Sequence, residues 1–147
     1  MNTINRLKFL SGLYLLDTNT ISEPLKALPN KQVIENIERY HAQIAIAAFV
    51  VYELVRGVAL LPDSKKRLKT NDYLESVLVN FPILPYTEAA AKWQGETAAR
   101  LQLLGKTPPF VDAQIAAIAK TNKLCLVTRN VDDFKNFTDL SIENWFC

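Results

Sequence analysis

Leu13-Tyr14-Leu15-Leu16-Asp17-Thr18-Asn19 is the stretch on which the reading of this chain turns. Its four apolar residues have the pattern of a short buried strand, and the run ends on a carboxylate followed by two small polar residues suited to a turn or a helix N-cap. Asp17 is the only charged residue between Lys8 and Glu23. An acid at the end of a buried strand is costly unless its charge is compensated. The arrangement recurs, for Glu53 is the only charged residue between His41 and Arg56, and Asp112 the only one between Lys106 and Lys120. A further acidic pair, Asp132-Asp133, follows the apolar segment Leu124-Cys125-Leu126-Val127-Thr128. Isolated acids on four apolar segments point to one shared, metal-binding pocket.

Working outward, Ile44-Ala45-Ile46 reads as a second strand and Leu124 to Thr128 as a fourth, with Leu140-Ser141-Ile142 as a fifth. Residues 81–86 carry Pro82 and Pro85, which suits an edge strand rather than a central one. Helical spacing is predicted over residues 20–25, 31–41, 49–61 and 88–104, the last stopped by Gly105. Asp63-Ser64 caps a helix that begins at Lys65, and Pro108-Pro109 opens another. Apolar strands alternating with helices predict an α/β fold, a parallel sheet covered on both faces. In such sheets ligands bind beyond the carboxyl ends of the strands, where Asp17 and Asp132-Asp133 fall.

The length of 147 residues fits one domain over 1–147, and an apolar content of 49% is ordinary for a globular chain. With 17 basic and 15 acidic residues the net charge of +2 says little by itself. Once four acids are neutralised by a cation the rest of the surface is basic, which suits a polyanion. Two cysteines, one histidine and no CxxC spacing argue against zinc and for a reducing cytoplasm. The apolar run over residues 44–52 is too short to span a bilayer, so no membrane segment is expected. Residues 1–12 lack the apolar core and cleavage site of a signal peptide, and read as an N-terminal extension or an upstream translation start.

Each acid also has a plain structural explanation. Asp17 can cap the following helix, Glu53 can pair with Arg56 at i,i+3, Asp112 suits the first turn of a helix, and Asp132-Asp133 suits a polar helix start. Taken together the acids demand more. Carboxylates brought within a few ångströms cannot all stay ionised without a cation. An oxygen-only donor set suits Mg²⁺ or Mn²⁺, which lowers the pKa of a bound water and neutralises charge on a phosphodiester under attack. Hydrolysis of a nucleic-acid backbone is the reaction that fits. Gly105-Lys106-Thr107 lacks the upstream glycine of a phosphate-binding loop, and His41 sits at a helix end with no catalytic context. The cluster Lys65-Lys66-Arg67 with Lys69 is either a solvated helix face or part of a nucleic-acid path. Trp93 reads as core or interface, and Trp145 with Phe146 as a C-terminal anchor.

Four motifs carry a resemblance: Leu-Leu-Asp-Thr-Asn-Thr-Ile-Ser-Glu at 15–23, Tyr-Glu-Leu-Val-Arg-Gly-Val at 52–58, Pro-Phe-Val-Asp-Ala-Gln-Ile-Ala-Ala at 109–117, and Leu-Val-Thr-Arg-Asn-Val-Asp-Asp-Phe at 126–134. In that order they resemble the PIN-domain ribonucleases of the VapC/FitB type, the toxin half of a bacterial type II toxin-antitoxin pair. The resemblance implies a three-layer α/β/α sandwich, an Mg²⁺-dependent endoribonuclease acting on RNA, a homodimer, and a cognate antitoxin. It implies metal coordination by Asp17, Glu53 and Asp112, with Asp133 or Asp132 as the fourth acid, and support from Asn19 and Thr128. Many relatives carry an acid two residues after the threonine, where this chain has Asn130. Two rivals remain at this point. A phospho-accepting receiver domain also has strand-end acids and Mg²⁺, and a degenerate module of the same fold would bind RNA or a partner without cutting.

Overall fold

The computed structural model describes residues 13–147, so the expected extension at residues 1–12 lies outside the described residues. Five short strands lie side by side: β1 is Tyr14–Leu16, β2 Ile44–Ala47, β3 Ile83–Leu84, β4 Cys125–Val127 and β5 Ile142–Glu143. They form one parallel sheet in the order β3-β2-β1-β4-β5. That order differs from the 2-1-3-4-5 of receiver domains, which removes the receiver rival. Leu15, Leu16, Ala45, Ile46, Leu126 and Val127 are fully buried, as both-face burial in a parallel sheet requires. The proline-flanked segment is the edge strand that its sequence demands, with Pro82 giving its carbonyl to the Ile46 N–H.

Six helices connect the strands: α1 Thr18–Ser22, α2 Lys31–Arg39, α3 Ala48–Ala59, α4 Lys65–Asn80, α5 Glu88–Leu103 and α6 Phe110–Thr121. Helix α3 packs on α1 and α4, whereas α5 packs on α6. Right-handed crossovers place the two groups on opposite faces of the sheet, giving three layers. Ser64 caps α4 by accepting from Arg67 N–H, and Gly105, at φ +72°, closes α5 as the sequence predicts. Tyr73 of α4 donates its hydroxyl to the Ile21 carbonyl at 2.5 Å and so ties α4 to α1; burial pushes that phenol up to about 12. Trp93 is half-buried against Phe137. Trp145 is buried against Tyr14 and Tyr40, and anchors the C-terminus as expected. His41 is exposed beside Phe81.

Two local expectations shift. The first helix begins at Thr18 rather than residue 20 and passes into a 3₁₀ turn over Glu23–Leu25. Strand β5 starts only at Ile142. Glu23, which no sequence signal marked, is buried at 3% exposure, where it pairs with Lys26 Nζ at 3.0 Å and accepts from Asn30 N–H. Among the described residues no helix is long and apolar enough to cross a membrane.

Cys125, on β4, is half-buried, and desolvation with the nearby Glu143 charge pushes its thiol up to about 12, whereas Cys147 is exposed. Because the thiolate is the reactive form, iodoacetamide at about pH 8 should alkylate Cys147 at least ~10-fold faster than Cys125 in the folded protein. Peptide mapping by mass spectrometry reads the two rates, which should converge in urea. Equal rates without denaturant would contradict this placement of β4.

Candidate active site

The strand order reverses at β1, which has β2 on one side and β4 on the other, and the crevice beyond the carboxyl ends of β1 and β4 is where such sheets bind ligands. A cavity of about 190 Å³ lies there. Asp17, Glu53, Asp112 and Asp133 all line it, together with Asn19, Thr128 and Asn130. Asp132, on the same 3₁₀ turn Val131–Phe134, does not. Of the two neighbouring acids Asp133 is thus the one that lines the cavity, because one residue's rotation along the turn sends Asp132 outward.

Local structure fixes each side chain. Asp17 N–H bonds the Val127 carbonyl at 3.0 Å, so the acid is gripped between the two central strands. Its Oδ1 accepts from Thr20 N–H at 2.9 Å and from the Thr20 hydroxyl at 2.7 Å, so Asp17 is both the cap of α1 and a wall of the cavity. Glu53 does not pair with Arg56. Instead its Oε1 accepts the Thr18 hydroxyl at 2.5 Å, which turns α3 toward the cavity. Thr128 is buried, and its hydroxyl accepts from Asn130 N–H at 3.1 Å, setting the turn that carries Asp133. Gln94 of α5 is buried between the Tyr86 hydroxyl and the Phe110 carbonyl, pinning the start of α6 two residues before Asp112. Thr18, Thr20 and Gln94 escaped the sequence reading. For Thr18 and Thr20 the signal is two hydroxyls just after the strand-end acid, and Gln94 has none.

Electrostatically the site is a cluster of like charges. The Asp112 carboxyl is held above its ordinary range, first by burial and then by the charges of Asp133 and Asp17. The dipole of α6 favours the ionised form at this first-turn position, so burial and the two acids outweigh it. Among the described residues, no three acidic, histidine or cysteine side chains stand close enough together to hold a metal ion as placed. The four acids share a cavity but not a common point, and Asp17 and Glu53 each turn to a hydroxyl. The donor chemistry nevertheless fits a hard divalent cation: every ligand is oxygen, and Asp112 carries a like-charge burden that a cation would lift.

The PIN domain family model matches residues 14–140. Toxin FitB of Neisseria gonorrhoeae is 36% identical over 126 residues, 83% of this chain and 91% of that protein. Ribonuclease VapC2 of Rickettsia felis is 30% identical over 135 residues, 90% of this chain and 98% of that protein. Among solved structures, the crystal structure of FitAcB from Neisseria gonorrhoeae superposes with a TM-score of 0.84 at 35% identity, covering 91% of this chain and 99% of that one.

A raised carboxyl pKa in the folded state means that stability is full below the unfolded value and is lost as pH rises through the folded value. In metal-free protein Asp112→Asn should therefore raise the Tm at neutral pH by a few degrees, with the gain vanishing as pH falls below the carboxylate range. Thermal unfolding in chelator across pH measures it. A variant less stable than the parent at neutral pH would show that Asp112 is not under like-charge stress.

Proposed function

The chain belongs to the PIN-domain family, and from that premise we propose that it is a metal-dependent endoribonuclease, the toxin of a toxin-antitoxin pair. The observation that carries the proposal is the convergence of Asp17, Glu53, Asp112 and Asp133, from four separate segments, on one cavity at the sheet's switch point. The ribonuclease and toxin names of the relatives support the same reading. Asp17 and Asp112, with Glu53 and Asp133, are the residues that would hold Mg²⁺ or Mn²⁺. Bound there, such an ion supplies a water of lowered pKa and neutralises charge gathering on the attacked phosphodiester.

The chain's own groups do the positioning. Thr20 locks the Asp17 carboxylate in place by two hydrogen bonds, leaving Oδ2 for the cavity. Thr18 holds Glu53 at the rim, and Glu53 must release that hydroxyl to turn inward. Asn19 and Asn130 are the polar, uncharged groups at the cavity wall, suited to bonding phosphate or ribose oxygens without adding repulsion. Asn130 thus takes a different part from the acid that many relatives place there, and Asp133 supplies the charge. The proposal extends to RNA as substrate, to action in the cytoplasm, to a homodimer, and to a cognate antitoxin that silences the site.

Replacing Asp17 with Asn keeps the cap but removes the charge. Its RNA cleavage should fall at least ~100-fold while circular dichroism stays that of the parent. Parent activity should vanish in EDTA and return with Mg²⁺ or Mn²⁺. Asp17→Asn protein that cuts RNA at the parent's rate, or parent protein indifferent to EDTA, would refute the assignment.

A further inference from the structure

A groove of about 810 Å³ runs between the end of α1, helix α3 and the first turns of α4. Glu53 lines both this groove and the acidic cavity, so the two depressions meet at that residue. The floor is aliphatic, built by Leu25, Leu54 and Val58, and one rim is Lys65, Lys66 and Lys69. Positions 65, 66 and 69 share one face of α4 by helical spacing. Lys26 also reaches the groove, but its charge is spent on buried Glu23, and Arg67 turns aside to Asp63 at 3.4 Å. Among the described residues the three rim lysines make no ion pair. The wall beside Glu53 is low, because a Cβ added at Gly57 would meet nothing within 4 Å. Gly57 is one helical turn, about 6 Å, from Glu53.

We propose that this groove is the track for single-stranded RNA flanking the cut, with Lys65, Lys66 and Lys69 on successive phosphates and the aliphatic floor under the bases. The inference rests on the nuclease reading of the cavity it opens into. Charge complementarity selects the occupant: three unpaired ammonium groups line a path that ends at the acids, so a polyanion is drawn in from the lysine end. An acidic peptide answers to the same charge. RNA is favoured because the groove leads into the cavity that would cut it.

The test is fluorescence anisotropy of the full chain with a labelled oligouridylate, in EDTA so that nothing is cut, titrated with salt. Each phosphate contact on a single strand contributes about −0.7 to the slope of log affinity against log salt, so changing all three lysines (Lys65→Gln, Lys66→Gln, Lys69→Gln) should flatten the slope by about 2. Affinity at low salt should fall at least ~10-fold. The control carries Lys31→Gln, Lys106→Gln and Lys123→Gln, none of which lines the groove, and its slope should stay that of the parent. An unchanged slope in the groove variant overturns the proposal, as does an equal flattening in both variants. A groove variant that keeps the RNA slope yet loses a cognate protein partner assigns the groove to protein and also overturns it. Parent protein that binds with the lysine-dependent slope but never cuts RNA would sink the nuclease reading and leave the track standing; cutting with an unchanged slope in the groove variant would do the reverse.

Discussion

Acidic side chains from four segments crowd a partly dehydrated cleft at the switch point of the sheet, and the neighbouring elements serve to hold them there. Burial raises the Asp112 carboxyl above its ordinary range, and the charges of Asp133 and Asp17 add to the effect. A fold selected for stability alone would not gather them, since each has a cheaper position on the surface. Two devices keep the arrangement in place. Thr20 and Thr18 give hydroxyl hydrogens to Asp17 and Glu53, and the α6 N-terminus presents its dipole to Asp112. Neither device removes the charge. A divalent cation would, and the stress is physical support for expecting one.

The sheet explains why acids so distant in sequence meet. Strands of two to four residues leave almost no length between the core and the rim, so a residue one step past β1 is already at the crevice. The order β3-β2-β1-β4-β5 puts β1 and β4 side by side, and the Asp17 N–H to Val127 bond extends their pairing to the site itself. Asp112 comes from the opposite face, on a helix whose start is tied through Gln94 to α5. Glu53 arrives from α3 and so belongs to both the cavity and the lysine-rimmed groove. The acidic cavity and the lysine-rimmed groove thus share one helix, α3, packed against α1.

Much of this was legible in the sequence, for identifiable reasons. Isolation of a charge within an apolar run marks a residue held by the core rather than by solvent, and that signal picked out Asp17, Glu53 and Asp112. The edge character of β3 followed from Pro82 and Pro85, and the end of α5 from Gly105. What stayed hidden depends on side-chain direction. Periodicity cannot separate Asp132 from Asp133 within a 3₁₀ turn, and i,i+3 spacing cannot reveal that Glu53 prefers Thr18 to Arg56. Burial of Glu23 was invisible because its partner Lys26 makes the pair look like a solvated surface contact.

In the proposed enzyme a divalent cation would draw together carboxylates that stand apart without a common point. Anomalous diffraction from crystals soaked in Mn²⁺ tests it most directly. One strong peak is expected in the cavity beyond β1 and β4, with Asp17 and Asp112 oxygens at about 2.0–2.2 Å and Glu53 or Asp133 moved toward it. A saturating soak with no peak in that cavity, or a peak bound elsewhere with the four acids unmoved, would contradict it.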